Sequence, residues 1–176
     1  MTPASITLGP ITLAVGVVAL FRLVELAWAR RNTARLLAEG AVEYGARQYP
    51  FFVALHASWL ASLLVFVPGD VAPDWPLLGV FGLLQVGRLW VILSLGRFWT
   101  TRVITLPGAA LVARGPYRWL RHPNYVVVVA ELAVLPLAFG AWQLALIFTL
   151  LNAFLLAWRI RVEEAALAGR NRESQV

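Results

Sequence analysis

The chain has no cysteine, which removes disulfides, thiolate metal ligands and cysteine nucleophiles. It has no lysine either, since all 15 basic residues are arginine. Its two histidines, His56 and His122, are too few for a multi-histidine metal site. Charge of both signs is scarce, at 14% against about 25% in an average soluble domain. Hydrophobic residues make up 60% against about 45–50%, and the mean hydropathy is +0.74. These values exclude an ordinary water-soluble globule, and a chain this apolar is not disordered. Its 176 residues suit one domain, 1–176. Arginine without lysine, beside abundant Ala, Gly, Val and Leu, points to a GC-rich bacterial genome. The net charge of +6 would suit nucleic acid in a polar chain. Here the basic residues mark cytoplasmic loops and anionic lipid headgroups, so the expected partner is the bilayer and not nucleic acid.

A bilayer core about 30 Å thick needs roughly 20 apolar residues of helix. The sequence predicts an all-α membrane bundle with spans near 8–28, 50–67, 76–96, 124–139 and 141–158. The last two arise because residues 124–158 are apolar for too long for one crossing, and Pro136 and Gly140 break them into a helical hairpin. Apart from Arg22 and Arg88, the arginines fall in the loops 29–49 and 97–122 and in the tail after Trp158, while 68–75 carries only Asp70 and Asp74. Five spans with the N-terminus outside place every arginine-bearing loop in the cytoplasm, of a bacterial plasma membrane if the genome is bacterial. Ala27-Trp28-Ala29 resembles a signal-peptide cleavage site, but no basic residue precedes Leu8, so the first span is expected to stay uncleaved. Its small residues Gly9, Ala14 and Gly16 leave open whether it packs within the bundle or against a second copy in a homodimer. Residues from about Leu167 to Val176 are polar and expected to fray.

Charged groups within a span cost about 2.5–3.5 kcal/mol each on insertion scales. His56, Arg88 (with Gln85 one turn away), Glu131 and Asn152 come from four different spans and fall at one level, about 9–12 Å below the cytoplasmic surface. Together they suggest the floor of a pocket open to the cytoplasm. The alternative is a buried Arg88–Glu131 pair with His56 and Asn152 as interhelical hydrogen bonds. Arg22 and Glu25 lie near the edge of the first span and are expected to snorkel to the interface.

The segment with most chemistry is Gly115-Pro116-Tyr117-Arg118-Trp119-Leu120-Arg121-His122-Pro123-Asn124-Tyr125. Gly-Pro makes a turn, and Pro123 suits the first turn of a helix while disfavouring helix at His122. His122 then sits beside unpaired helix N–H groups, an anion-friendly place. Tyr117 and Tyr125 offer flat faces for a ring or a cation. An interfacial loop with an aromatic belt would look alike. Further on, Arg159 and Glu163 are spaced i,i+4 and share one helix face. A helix continuing past the membrane could carry them over the 97–122 loop, or they are an ordinary surface pair.

Arg121-His122-Pro123-Asn124-Tyr125 opening a hairpin, Leu111-Val112, Gly115 and Tyr117 before it, and Arg159 with Glu163-Glu164 and Leu167 after it resemble the isoprenylcysteine carboxyl methyltransferase family. The related membrane phospholipid methyltransferases share parts of this pattern. The resemblance covers roughly residues 97–167. It implies an integral membrane methyltransferase using S-adenosylmethionine, with S-adenosylhomocysteine as product and no soluble Rossmann domain. It also implies a cytoplasmic cofactor pocket closed by the C-terminal helix and a lipophilic acceptor arriving from the bilayer. Carried over by position, the cofactor contacts are Ala109, Ala110, Leu111, Val112, Tyr117, His122, Pro123, Asn124 and Tyr125, with Arg102 a weaker match. Arg159 and Glu163 match the polar pair near the acceptor and the reactive methyl. The family often has a polar residue where Ala109 stands, which leaves only backbone contacts there.

Methyl transfer from a sulfonium is an in-line displacement that depends on alignment and exclusion of water. A carboxylate acceptor is already a nucleophile, which Arg159 would orient. A phenol or enol would need a base, with Glu163 or His122 in place. The run Gly96–Ile104 followed by Leu106-Pro107-Gly108 looks like the bacterial branch of the family, whose members are associated with lipid-tailed phenols and pyrones. The acceptor class is therefore an isoprenylcysteine-type carboxylate or such a lipid. A non-catalytic membrane scaffold or assembly subunit is the alternative, but it has no reason to combine His122, Tyr125, Arg159 and Glu163. A transporter is disfavoured, because no paired broken helices are visible.

Overall fold

Among the described residues the chain forms five α-helices: α1 (Pro10–Ala38), α2 (Tyr49–Phe66), α3 (Trp75–Leu95), α4 (Pro123–Ala138) and α5 (Trp142–Glu173). The computed structural model describes residues 9–173, with side chains through Ala166. Leu8, the expected start of the first span, and the last three residues lie outside it. Proline sits in the first turn of each of the first four helices, where its missing N–H costs nothing. Asp74 caps α3, its carboxylate accepting from the Leu77 N–H at 3.0 Å. The expected hairpin between α4 and α5 forms. Gly140 adopts φ 71°, and the N–H groups of Gly140 and Ala141 bond back to the Leu137 and Pro136 carbonyls at 3.0 and 2.9 Å.

Among the described residues, four helical stretches are long and apolar enough to cross a membrane, at 10–38, 46–66, 75–98 and 142–166. At 16 residues α4 is apolar but shorter. The core gathers Ile11, Val15 and Val18 of α1, Trp59 and Leu63 of α2, Phe81 of α3, Leu132 and Leu135 of α4 and Phe148 of α5. The first helix thus packs within the bundle along that face. Outward lie large apolar side chains such as Val65, Leu83 and Phe154, more than 70% exposed. Such a surface fits an integral membrane protein.

Three features depart from the sequence reading. Helix α1 runs ten residues beyond the expected end at Trp28 and stops at Gly40, which takes φ 91°. Helix α5 passes Leu167, where fraying was expected, because Ala165, Ala166 and Ala168 favour helix. The all-α expectation also missed a small ribbon: β1 (Val42–Tyr44) pairs antiparallel with β2 (Val103–Thr105), Glu43 opposite Ile104. This ribbon ties the loop after α1 to the loop after α3.

The two ends of the bundle differ. At one, β1 meets β2, Arg97 reaches Glu39 at 2.7 Å, and the Gln48 amide donates to the Trp158 carbonyl of α5 at 3.3 Å. At the other, the Asp74 N–H donates to the Ala138 carbonyl at 2.7 Å and Gly9 lies against Gly69. The two arginine-bearing loops and the later half of α5 therefore share one end.

Candidate active site

Pro123 starts α4, and this leaves His122 just outside the helix with Tyr125 one turn later on the same face. Their rings stack, with centroids 5.1 Å apart and planes 11° from parallel. The Tyr125 hydroxyl donates to Glu163 Oε2 at 2.6 Å and accepts from Arg159 Nε at 3.0 Å. One tyrosine thereby joins the i,i+4 pair of α5 to the start of α4. His122 Nδ1 stands 3.7 Å from the same carboxylate oxygen. The Arg159 guanidinium lies over the Phe52 ring at 5.2 Å, which holds it between α2 and α4. Arg121 and Glu164 lie further out, 4.0 Å apart and exposed.

These residues border a cavity of about 450 Å³, within the roughly 300–1,000 Å³ of small-molecule sites. Arg102, Ala109, Ala110, Leu111, Val112, Tyr117, His122, Asn124 and Tyr125 all line it, with Arg159 and Glu163. Pro123 alone of the expected cofactor residues does not; it is buried and starts the helix. Arg102 is tied down by both Glu43 carboxylate oxygens at 2.9 Å and lies over Tyr49 at 4.8 Å. Asn124 Oδ1 is buried with no hydrogen-bond partner among the described residues, an acceptor left for something in the cavity. Burial, and to a lesser degree the Glu163 carboxylate, holds the Tyr117 phenol above the usual tyrosine range.

Sequence reasoning missed part of the wall. Trp99, Val103 and Thr105 line the cavity and are almost fully buried. Asn32 of α1 fixes Trp99, its amide donating to the Gly96 and Trp99 carbonyls at 3.0 and 2.9 Å, while Val103 and Thr105 are held by their pairing with β1. The available signal was an asparagine on a helix whose end was placed too early.

His56, Arg88, Glu131 and Asn152 do not line this cavity. The structure brings Arg88 and Glu131 together at 3.2 Å, and it adds two residues expected at the interface. Arg22 and Glu25 do not snorkel, because α1 continues well past them and turns them inward. Arg22 bonds Glu25 at 2.7 Å and Glu131 at 3.0 Å, and Arg88 bonds Glu25 at 2.8 Å. Gln85 accepts from Arg22 and donates to Glu131, both at 2.8 Å. The result is a neutral lattice of two arginines and two glutamates across α1, α3 and α4. It touches the cavity wall through Arg88, whose guanidinium lies 6.0 Å from the Trp99 ring centre. His56 bonds the Phe52 carbonyl in its own helix at 2.8 Å. Asn152 is fully buried, and its amide has no partner among the described residues.

The chain matches the Isoprenylcysteine carboxyl methyltransferase (ICMT) family over residues 77–169. It is 36% identical to the uncharacterized protein YpbQ of Bacillus subtilis (strain 168), over 88% of this chain and 95% of that one. It is 25% identical to an uncharacterized protein of Haemophilus influenzae (strain ATCC 51907 / DSM 11121 / KW20 / Rd), over 84% and 88%. No solved structure matches. The chain belongs to the isoprenylcysteine carboxyl methyltransferase family, which makes its class that of the membrane methyltransferases.

Proposed function

We propose that the chain is an integral membrane O-methyltransferase that moves a methyl group from S-adenosylmethionine to a lipophilic acceptor. The acceptor is an isoprenylcysteine-type carboxylate or a lipid-tailed phenol or pyrone. The observation that carries this reading is the Arg159–Tyr125–Glu163 chain bordering the cavity lined by residues 109–112, Tyr117, His122 and Asn124. The five helices make five crossings of one domain, 1–176, with the cofactor part at about 97–167. The arginine-bearing end faces the cytoplasm and the N-terminus lies outside, in a bacterial plasma membrane.

The cavity's residues fit S-adenosylmethionine. Tyr117 and Tyr125 present aromatic faces to a sulfonium cation, and the unpartnered Asn124 oxygen accepts from a hydroxyl or ammonium group. The backbone of 109–112 and the side chains of Tyr117, His122, Asn124 and Tyr125 would hold the cofactor, and Pro123 sets the helix start that aims them. When bound, the cofactor supplies an electrophilic methyl group. Tyr125 fixes Arg159 and Glu163 in one geometry. Arg159 then orients a carboxylate acceptor, or Glu163, with His122 beside it, takes the proton of a phenol. The apolar walls keep out water, so the rest is alignment.

Calorimetric titration of S-adenosylhomocysteine into detergent-purified protein tests this, with Tyr125→Ala and Glu163→Ala alongside. Micromolar binding that weakens in both variants is expected. No binding to a folded, monodisperse sample would reduce the protein to a scaffold with the family's architecture.

A further inference from the structure

One side of the segment 114–121 takes no part in the proposed reaction. The segment lies against the last turns of α3. Arg114 Nε donates to the Ser94 carbonyl at 2.7 Å. Gly115 takes φ 57°, and any side chain there would collide with Ser94. Pro116 is buried, and its carbonyl accepts from the N–H groups of Trp119 and Leu120 at 3.2 and 3.1 Å. These contacts fix the segment as a strap across the end of α3. Its inner side, Tyr117, Leu120 and Arg121, lines the cavity, whereas Arg118 and Trp119 do not. Both of these are exposed, Trp119 to 70%.

The outer side pairs a cation with an aromatic ring. The Arg118 guanidinium lies over the Trp119 ring at 5.9 Å, and Trp119 packs on Trp90 of α3 with centroids 6.1 Å apart. Trp90 belongs to the outward face that α3 also forms from Val86, Leu89 and Leu93, all about half exposed or more. It stands five residues before the end of α3 at Leu95, about 7.5 Å of helix. With α3 read as a crossing and this end as the cytoplasmic one, as proposed above, Trp119 extends the lipid-facing surface to the edge of the hydrocarbon. That is the usual place of interfacial tryptophan, and the layer beside it is one of phosphates. No acidic residue occurs between Asp74 and Glu131. The ion pairs at this end engage Arg97, Arg102, Arg121 and His122, and Arg118 has no carboxylate partner among the described residues. A guanidinium resting on a ring keeps its edge free for two phosphate oxygens. A soluble acidic partner could pair with Arg118 but would leave Trp119 uncovered, whereas a lipid covers both.

We propose that Arg118 and Trp119 form a site for an anionic phospholipid, its phosphate on the Arg118 guanidinium and its upper chain against Trp119 and Trp90. A negative headgroup is favoured over a zwitterionic one because the strap offers Arg114, Arg118 and Arg121 and no acid of its own. The bound lipid backs the wall formed by Tyr117 and Leu120 without entering the cavity. The site rests on the orientation proposed above and not on methyl transfer.

The test is native mass spectrometry of the full chain released from nanodiscs of equal parts phosphatidylglycerol and phosphatidylcholine. Phosphatidylglycerol is expected to stay bound in preference to phosphatidylcholine. Arg118→Gln should cut that preference about fivefold, the worth of one arginine at an anionic surface. It should leave the unfolding midpoint unchanged, because Arg118 is exposed. Arg31→Gln removes another exposed arginine, in the extension of α1, and should leave the preference intact. Equal retention of the two lipids or a preference that survives Arg118→Gln would overturn the proposal. So would an equal loss in Arg31→Gln, which would mark a diffuse field instead of a site. Failure of S-adenosylhomocysteine to bind, with the lipid preference intact, would remove the methyltransferase reading and leave this site standing.

Discussion

Tyr125 and Glu163, 38 residues apart in sequence, meet at 2.6 Å between α4 and α5. The same hydroxyl accepts from Arg159, so a single oxygen sets the positions of both residues of the proposed catalytic pair. Tyr125→Phe keeps the ring and its stack on His122 but removes that oxygen. Two hydrogen bonds to charged groups are lost, each worth about 1.5–3 kcal/mol. S-adenosylhomocysteine affinity should fall at least about tenfold by calorimetry, while circular dichroism stays that of the parent. An unchanged affinity would leave Tyr125 as packing only.

Asn32 acts from outside the cavity, as a positioning residue. Its amide holds the Gly96 and Trp99 carbonyls, and Trp99 lines the wall. Asn32→Leu should cost about 1–3 kcal/mol of stability by leaving a buried acceptor unmet. A purely structural role would lower the melting temperature alone. Asn32→Asp, which keeps the shape but cannot donate both bonds, should weaken S-adenosylhomocysteine binding as Asn32→Leu does.

The charge lattice predicts strong non-additivity. Glu131→Gln leaves Arg88 and Arg22 under-compensated and should destabilise by about 3–5 kcal/mol. Pairing it with Arg88→Met removes one charge of each sign and should restore much of that loss. Thermal unfolding in detergent of the two single variants and the double one completes the cycle, and additive effects would show that the two side chains act independently.

The Tyr117 phenol gives a pH signature. Its folded value is raised by burial, so the neutral form is favoured in the folded state. Its contribution to stability is full below the unfolded tyrosine value of about 10 and is lost as pH rises above it. Tyrosinate absorbance should therefore show a late-titrating component that loses one phenol in Tyr117→Phe. A titration identical to the parent would contradict the burial of Tyr117.

The helices were legible because long apolar runs bounded by Pro, Gly and arginine leave little choice in a membrane. The hairpin at Pro136 and Gly140 was equally plain. The end of α1 was misplaced because arginines after Trp28 looked like a loop, although the stop signal at Gly40 was present. That error carried Arg22 and Glu25 to the interface and hid their pairing with Arg88 and Glu131. Polar residues at equal depth on different helices left open a pocket floor or a buried pair for Arg88 and Glu131. They meet as a pair and do not line the cavity, which depth alone could not decide because it says nothing about which faces meet. The β1–β2 ribbon was illegible, because strands of three residues carry no periodicity. The wall of the cavity was reached mostly by resemblance; Thr105 depends on that ribbon and Trp99 on Asn32, which no local pattern announces.

Helix α5 is unbroken from Trp142 to beyond Glu163, so the proposed catalytic residues ride on a rigid lever about 30 Å long. Its fulcrum is the Gly140 turn at the opposite end of the bundle. A tilt of about five degrees there swings Glu163 by roughly 2.6 Å, about the length of its bond to Tyr125. Since helices adjust their tilt to hydrocarbon thickness, acyl-chain length in the host membrane becomes a control on the alignment of the site.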